Sequence, residues 1–306
     1  MAISVTFRFE EAQCFADITQ DSATPTTVFI GKYSKVITER EQTINLTPYL
    51  REQIRIQAVT HETFSAVNMS VVPAVTINGK TYTATASYRL ASVAFNPDDN
   101  LCSDLPYRVI DRGQTDVLYI QLNKGWSGEV RQGATLLTYN DHRYEYNDIV
   151  PFAIQPTADI KVTISDDKGV PYDNIDIRYR IRPMGLNGVR LAWINRYGAL
   201  DFWNFDHLRE QDFAATSETI YTHNGYTKLN TAAERRYTVE TRELTTEALN
   251  TMSYIIASPA VWVVTDDGAG NTTFEEVDVV TEECKVFNDA ELLGLQVSYR
   301  PKKRVL

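Results

Sequence analysis

Short runs in the first third of the chain, at 5–9, 27–30, 35–38 and 55–59, are apolar and β-branched enough to predict strands. Asn78-Gly79 separates two longer runs, 71–77 and 81–88, and predicts a hairpin because both turn residues tolerate positive φ. Pro73 cannot donate to a ladder, which places the first of those strands on an edge or at a bulge. Residues 46–54 read as a short helical turn. The turn-rich segment 95–100 leads into a second β stretch at 117–122, 134–139, 143–146, 160–164 and 174–181, the last alternating apolar and polar positions. Strands spaced by roughly ten residues, with no helices between them, favour sandwiches or barrels over a parallel α/β sheet.

Residues 182–188, with one Pro and two Gly, read as a linker. Beyond it lies the one well-marked helix, 246–256, with Thr245 as N-cap, Glu247 in the first turn, Ala248, Met252 and Ile255 on one face, and Pro259 past its end. Strands at 260–264, 273–280 and 295–299 complete the unit. The expectation is a mainly β protein with two small β-sandwich or barrel-like modules, residues 1–96 and 97–183. An α+β C-terminal domain with one helix, residues 184–306, follows them.

At 306 residues the chain exceeds the usual size of one core, and its 43% hydrophobic content suffices to bury a large interior. Its 40 acidic against 30 basic residues give a net charge of -10, which repels a phosphate backbone and argues against direct nucleic-acid readout. The local exception is the basic tail Arg300, Lys302, Lys303 and Arg304, a solvated end or a docking element for an acidic neighbour. Cys14, Cys102 and Cys284 lack disulfide or zinc spacing, and the first ten residues lack the apolar stretch of a secretory signal, so synthesis in a reducing cytosol is expected. No apolar run approaches the roughly 20 residues that span a bilayer.

Candidate chemistry is sparse. The chain has no nucleophile elbow, zinc-helix or phosphate-loop motif. His61, His142, His207 and His223 are scattered. The pairs Asp98-Asp99, Asp166-Asp167 and Asp266-Asp267 sit among turn residues, where Asp is favoured for hydrogen-bonding the backbone. No catalytic residue, metal site or cofactor is therefore assigned. Seventeen Tyr and four Trp supply either core or platforms for sugars and protein partners.

The most informative segment is 191–205. Residues 191–194 and 200–205 read as two strands joined by the turn Asn195-Arg-Tyr-Gly198, with Gly198 free to take positive φ. Trp193, Trp203 and Phe205 load this ribbon with apolar area, so it must pack on its own domain or on another subunit. The pattern W-x-N-x-x-G-x-x-D-x-W-x-F, carried by Trp193, Asn195, Gly198, Asp201, Trp203 and Phe205, resembles a hairpin of tail and baseplate proteins from phages and prophages of Bacteroidetes. The order of elements to the end of the chain, about residues 186–306, resembles that family too. The resemblance implies a virion structural component located in the tail, assembling with itself in a symmetric ring and with other tail or connector proteins, the six residues serving as interface or hairpin anchors. The alternative is a carbohydrate-binding or adhesin module, with exposed aromatic and Asp or Asn side chains forming its site. A glycoside hydrolase using two of the paired carboxylates ranks third.

Overall fold

The computed structural model describes residues 2–10, 13–59, 70–85, 88–89, 100–141, 148–183, 188–223, 225–266, 272–280, 282, 285–289 and 292–302. Strands far outweigh helix among the described residues, which bears out the mainly β expectation.

The first group holds β1 (Ile3–Glu10), β2 (Gln13–Gln20), β3 (Thr26–Ile30), β4 (Tyr33–Ile37), β5 (Glu41–Asn45), α1 (Thr47–Val59), β6 (Ser70–Val71), β7 (Ala74–Ile77), β8 (Lys80–Thr83) and β9 (Tyr88–Arg89). They form the sheets β1-β2-β5 and β4-β3-β7-β8 and the short pair β6-β9. Alternation is clear in β2 and β3, whose Ala16, Ile18, Val28 and Ile30 point into the core. Asn78 and Gly79 both have positive φ, at 51° and 76°, and close the expected hairpin between β7 and β8.

Two expectations are corrected here. Pro73 does not lie within one edge strand: it splits the run between β6, which among the described residues pairs only with β9, and β7, which is flanked by β3 and β8. The helix is longer than one turn, and the strand expected at 55–59 is its C-terminal part. Its start is local chemistry, since the Asn45 side chain accepts from the Thr47 amide at 2.9 Å and Pro48 sits in the first turn, where a missing N–H costs nothing. Leu50 and Ile54, one turn apart, are both buried, and that tertiary burial outweighs the β-branched local preference.

The second group comprises β10 (Arg108–Asp111), β11 (Asp116–Leu122), β12 (Ser127–Gln132), β13 (Thr135–Asp141), β14 (Asp148–Ile154), β15 (Ile160–Ser165), β16 (Pro171–Ile177) and β17 (Tyr179–Arg182). The sheet β13-β12-β15-β16 faces the pair β11-β14, and β10 runs parallel to β17. Leu118, Ile120, Val130, Phe152 and Val162 fill the space between. Gly128 makes the contact close enough: a Cβ there would lie 2.5 Å from the Phe152 ring. The strand expected at 143–146 falls outside the described residues.

The C-terminal group adds β18 (Val189–Ile194), β19 (Leu200–Phe205), β20 (His207–Thr222), β21 (Gly225–Leu244), α2 (Thr246–Met252), α3 (Tyr254–Ala257), β22 (Val261–Asp266), β23 (Thr272–Val279), β24 (Lys285–Asp289) and β25 (Leu292–Pro301). The sheet order is β19-β18-β22-β23-β25-β21-β20, with β24 paired to β25. The expected helix is present as α2 and α3, broken at Ser253, with the Thr245 hydroxyl accepting from the Ala248 amide. Although no sheet joins the three groups, the buried clusters do. Ala192, Ile194, Leu200 and Phe202 share one with Cys14, Ile18 and Ile44 of the first group, whereas Leu191, Trp193, Trp203 and Phe205 share another with Ala248, Met252 and Leu295. Both faces of β18 and β19 are covered, so apolar residues occupy successive positions in place of alternating ones.

Candidate functional site

The turn between β18 and β19 is tied down residue by residue. Gly198 has φ 76°. The Asn195 side-chain oxygen accepts from the amides of Tyr197 (3.0 Å) and Ala199 (3.2 Å), and its amide nitrogen donates to the Cys102 carbonyl at 2.7 Å. Arg196 and Tyr197 both donate to Asp104, at 2.6 and 2.7 Å. The Thr251 hydroxyl of α2 reaches the Asp104 carbonyl at 3.2 Å. Asn195 therefore builds the turn and anchors it to the 100–107 segment at once, a double role Asp could not fill because it has no donor.

Beside this turn lies a cluster of buried charge that the sequence reading did not find. Arg108, Asp116, Arg190 and Asp201 are each no more than 3% exposed. Asp116 is the hub: it accepts from Arg108 and Arg190, each at 3.2 Å, and from the Tyr179 hydroxyl at 2.8 Å. Arg190 also donates to the Thr115 carbonyl at 2.7 Å and stacks over Phe202 at 4.9 Å. These groups come from β10, β11, β17, β18 and β19, so the cluster locks the second strand group to the C-terminal sheet. Asp201 stands 3.6 Å from Arg108, and among the described residues neither of its oxygens has a hydrogen bond of full geometry. Burial pushes its carboxyl up to about 6 against the pull of Arg108, Ser103 and Asn195. Burial also opposes the Arg108 charge, but Asp116, Tyr179 and Asp201 outweigh it and hold the guanidinium protonated. The available signal was Arg or Asp standing inside or beside otherwise apolar strands, at 108, 116 and 190.

All six motif residues lie inside the chain: Trp193, Asp201 and Phe205 are fully buried, Trp203 is 1% exposed, and Asn195 and Gly198 are buried too. The Trp203 ring donates to the Thr241 hydroxyl at 3.2 Å and sits 5.4 Å from the Tyr107 ring. The six residues are thus buried within the chain, packed between the strand groups rather than displayed on its surface. The basic tail is also redirected. Arg300 pairs with Asp278 at 2.8 Å and Lys302 with Glu276, both on β23, while Lys303 and Arg304 lie outside the described residues. Two of the four tail cations thus neutralise their own sheet.

No protein-family model matches the chain, and no curated protein does. The reading of the site rests on its geometry.

Among the described residues, no three His, Cys, Asp or Glu side chains converge where they could hold a metal ion. The Asp166 side chain accepts from the amides of Lys168 (2.9 Å) and Val170 (2.8 Å), closing its own turn. Asp98, Asp99, Asp267, His61, His142 and Cys284 lie outside the described residues. Cys14 and Cys102 are buried thiols, and burial pushes Cys14 up to about 12, away from the thiolate. Among the described residues no helix is long and apolar enough to cross a membrane.

The feature without an internal explanation is the β20–β21 hairpin. β21 pairs with β25 only at Tyr237–Thr241 and Leu244, yet β20 and β21 stay paired out to Thr222 and Gly225. From Asp212 opposite Arg236 to that turn, roughly 35 Å at about 3.4 Å per residue, no third strand flanks the ribbon among the described residues. Tyr221, near its tip, is 76% exposed.

Proposed function

We propose that the chain is a structural subunit of a phage or phage-like tail, a baseplate or head-to-tail ring component that acts by self-association and by docking on neighbouring virion proteins. The observation that carries this reading is the unflanked β20–β21 ribbon. A lone two-stranded hairpin is marginal in water, and its free edges are templates for another chain. Charge favours a second copy as the occupant. A chain of net charge -10 repels its own copies, but the ribbon balances Glu210, Asp212, Glu218 and Glu234 with Arg209, Lys228, Arg235 and Arg236. It is also rich in Ala and Thr, at 214–216 and 231–233, small or β-branched residues that allow close strand and sheet approach. The resemblance of residues 186–306 to tail proteins supports the same role. Where the ribbon meets a different face of the next copy, such contacts close into rings when the rotation allows. Electron imaging of the purified chain and of particles containing it should show rings of one symmetry; a strict monomer in both settings would overturn the proposal. The alternative reading, glycan recognition, draws on the first strand group and is compatible with assembly.

A further inference from the structure

The turn between β3 and β4 and the first half of α1 enclose a cavity of about 350 Å³. That is the lower end of the range for small-ligand sites, roughly 300 Å³ upward. Tyr33 and Tyr49 form one wall, their ring centroids 5.1 Å apart and tilted by 50°. Leu50 and Ala74 add apolar surface. The polar side is made by Lys32, Glu52 and Gln53: Lys32 donates to Glu52 at 2.8 Å, the Tyr33 hydroxyl also bonds Glu52, and Gln53 is exposed. Lys32 and Tyr33 hold the Glu52 carboxyl below its ordinary range, so it stays an acceptor at neutral pH.

We infer that this cavity is a binding site for a neutral pyranose sugar, the exposed end of a glycan. Its charges cancel. One lysine against one glutamate leaves nothing over for a phosphate, a carboxylate or a cation. What remains is two tyrosine rings, Tyr49 and a Tyr33 with the Lys32 ammonium 5.1 Å over it, joined to a carboxylate and an amide, with both acceptors and donors presented on the polar side. A pyranose has the matching halves: an apolar face of ring C–H groups that packs on tyrosine rings, and equatorial hydroxyls that donate to Glu52 and exchange hydrogen bonds with Gln53. The wall needs no rearrangement, because the Lys32–Glu52–Tyr33 bonds already fix the carboxylate beside the Tyr33 ring, which favours binding through preorganisation. The site lies in the first strand group, and the inference stands or falls independently of assembly through the ribbon.

The test is ligand-observed saturation-transfer NMR on the full chain with the methyl glycosides of glucose, galactose, mannose and N-acetylglucosamine. At least one should receive saturation at the C–H protons of one ring face. Tyr49→Ala should weaken that binding about tenfold, the equivalent of one aromatic contact. Gln53→Ala, at an exposed position that leaves folding intact, should weaken it several-fold, and Tyr221→Ala on the ribbon should leave it unchanged. Absence of transfer to all four glycosides overturns the inference, as does binding undiminished in both Tyr49→Ala and Gln53→Ala. Oligomer mass, read on the same samples, reports on the assembly reading separately.

Discussion

Two consecutive hairpins in the same sheet, β18–β19 and β20–β21, meet opposite fates. The first is short, with both faces covered, its turn bonded to the 100–107 segment and its flank fixed by four buried charges. The second is about three times longer, and beyond Tyr237 no third strand among the described residues flanks it. The aromatic residues that mark the first hairpin in the sequence are buried in the fold, whereas the second, with little to mark it, is the element proposed to meet partners. A conspicuous motif can thus identify a core, while the proposed binding element is written in plain Thr, Ala and balanced charge.

Damage to the inner hairpin and its charge cluster should be severe. Asp116→Asn strands two buried guanidinium groups and should cost about 3–5 kcal/mol. Trp193→Ala should cost a similar 3–5 kcal/mol through the cavity it leaves. Denaturant titration of the isolated chain checks both; losses within 1 kcal/mol would mean that the hairpin is not the anchor described here.

Asp201 gives a pH signature. Its carboxyl is raised in the folded chain, so the fold binds this proton more tightly than the unfolded chain does. The stability it contributes is fully present below the ordinary carboxylate range, near pH 4, and is lost as pH rises through about 6. Asp201→Asn removes that dependence, and the variant's stability relative to the parent should rise by on the order of 3 kcal/mol between pH 4 and pH 7. A flat difference across that range would show that the group does not titrate as its burial demands.

The smallest effect belongs to a carboxylate outside both hairpins. Asp166→Asn keeps the side-chain oxygen that closes the turn, so it should shift stability by no more than about 0.5 kcal/mol and leave assembly unchanged. Loss of assembly on this substitution would show that the pair does more than close a turn.

What the sequence revealed follows the range of the interactions concerned. Asn78-Gly79, Asn195 to Gly198 and the Thr245 cap are contained within a few residues, and each takes the expected conformation. The helix α1 is held by the burial of Leu50 and Ile54 in the core, which local β-branched preference concealed. The Arg108–Asp116–Arg190 cluster is spread over residues 108–190 and leaves no spacing to read. Tyr33, Tyr49 and Glu52 converge only after α1 folds back on the β3–β4 turn. The long ribbon was hidden because its mixed Ala, Thr and charged residues give no clean alternation, although Asn224-Gly225 carries the same turn dipeptide as residues 78–79.

The outer ribbon is proposed to hold copies together while the inner hairpin holds each copy's fold. The direct measurement compares the molar mass of the chain in sedimentation with that of a variant whose residues 213–235 are replaced by Asn-Gly, which keeps the Asp212 and Arg236 ends paired through a two-residue turn. A closed oligomer is expected for the chain and a monomer for the variant, with melting temperatures within a few degrees of each other. An identical oligomer without the ribbon, or a monomer with it at every concentration, would contradict the claim.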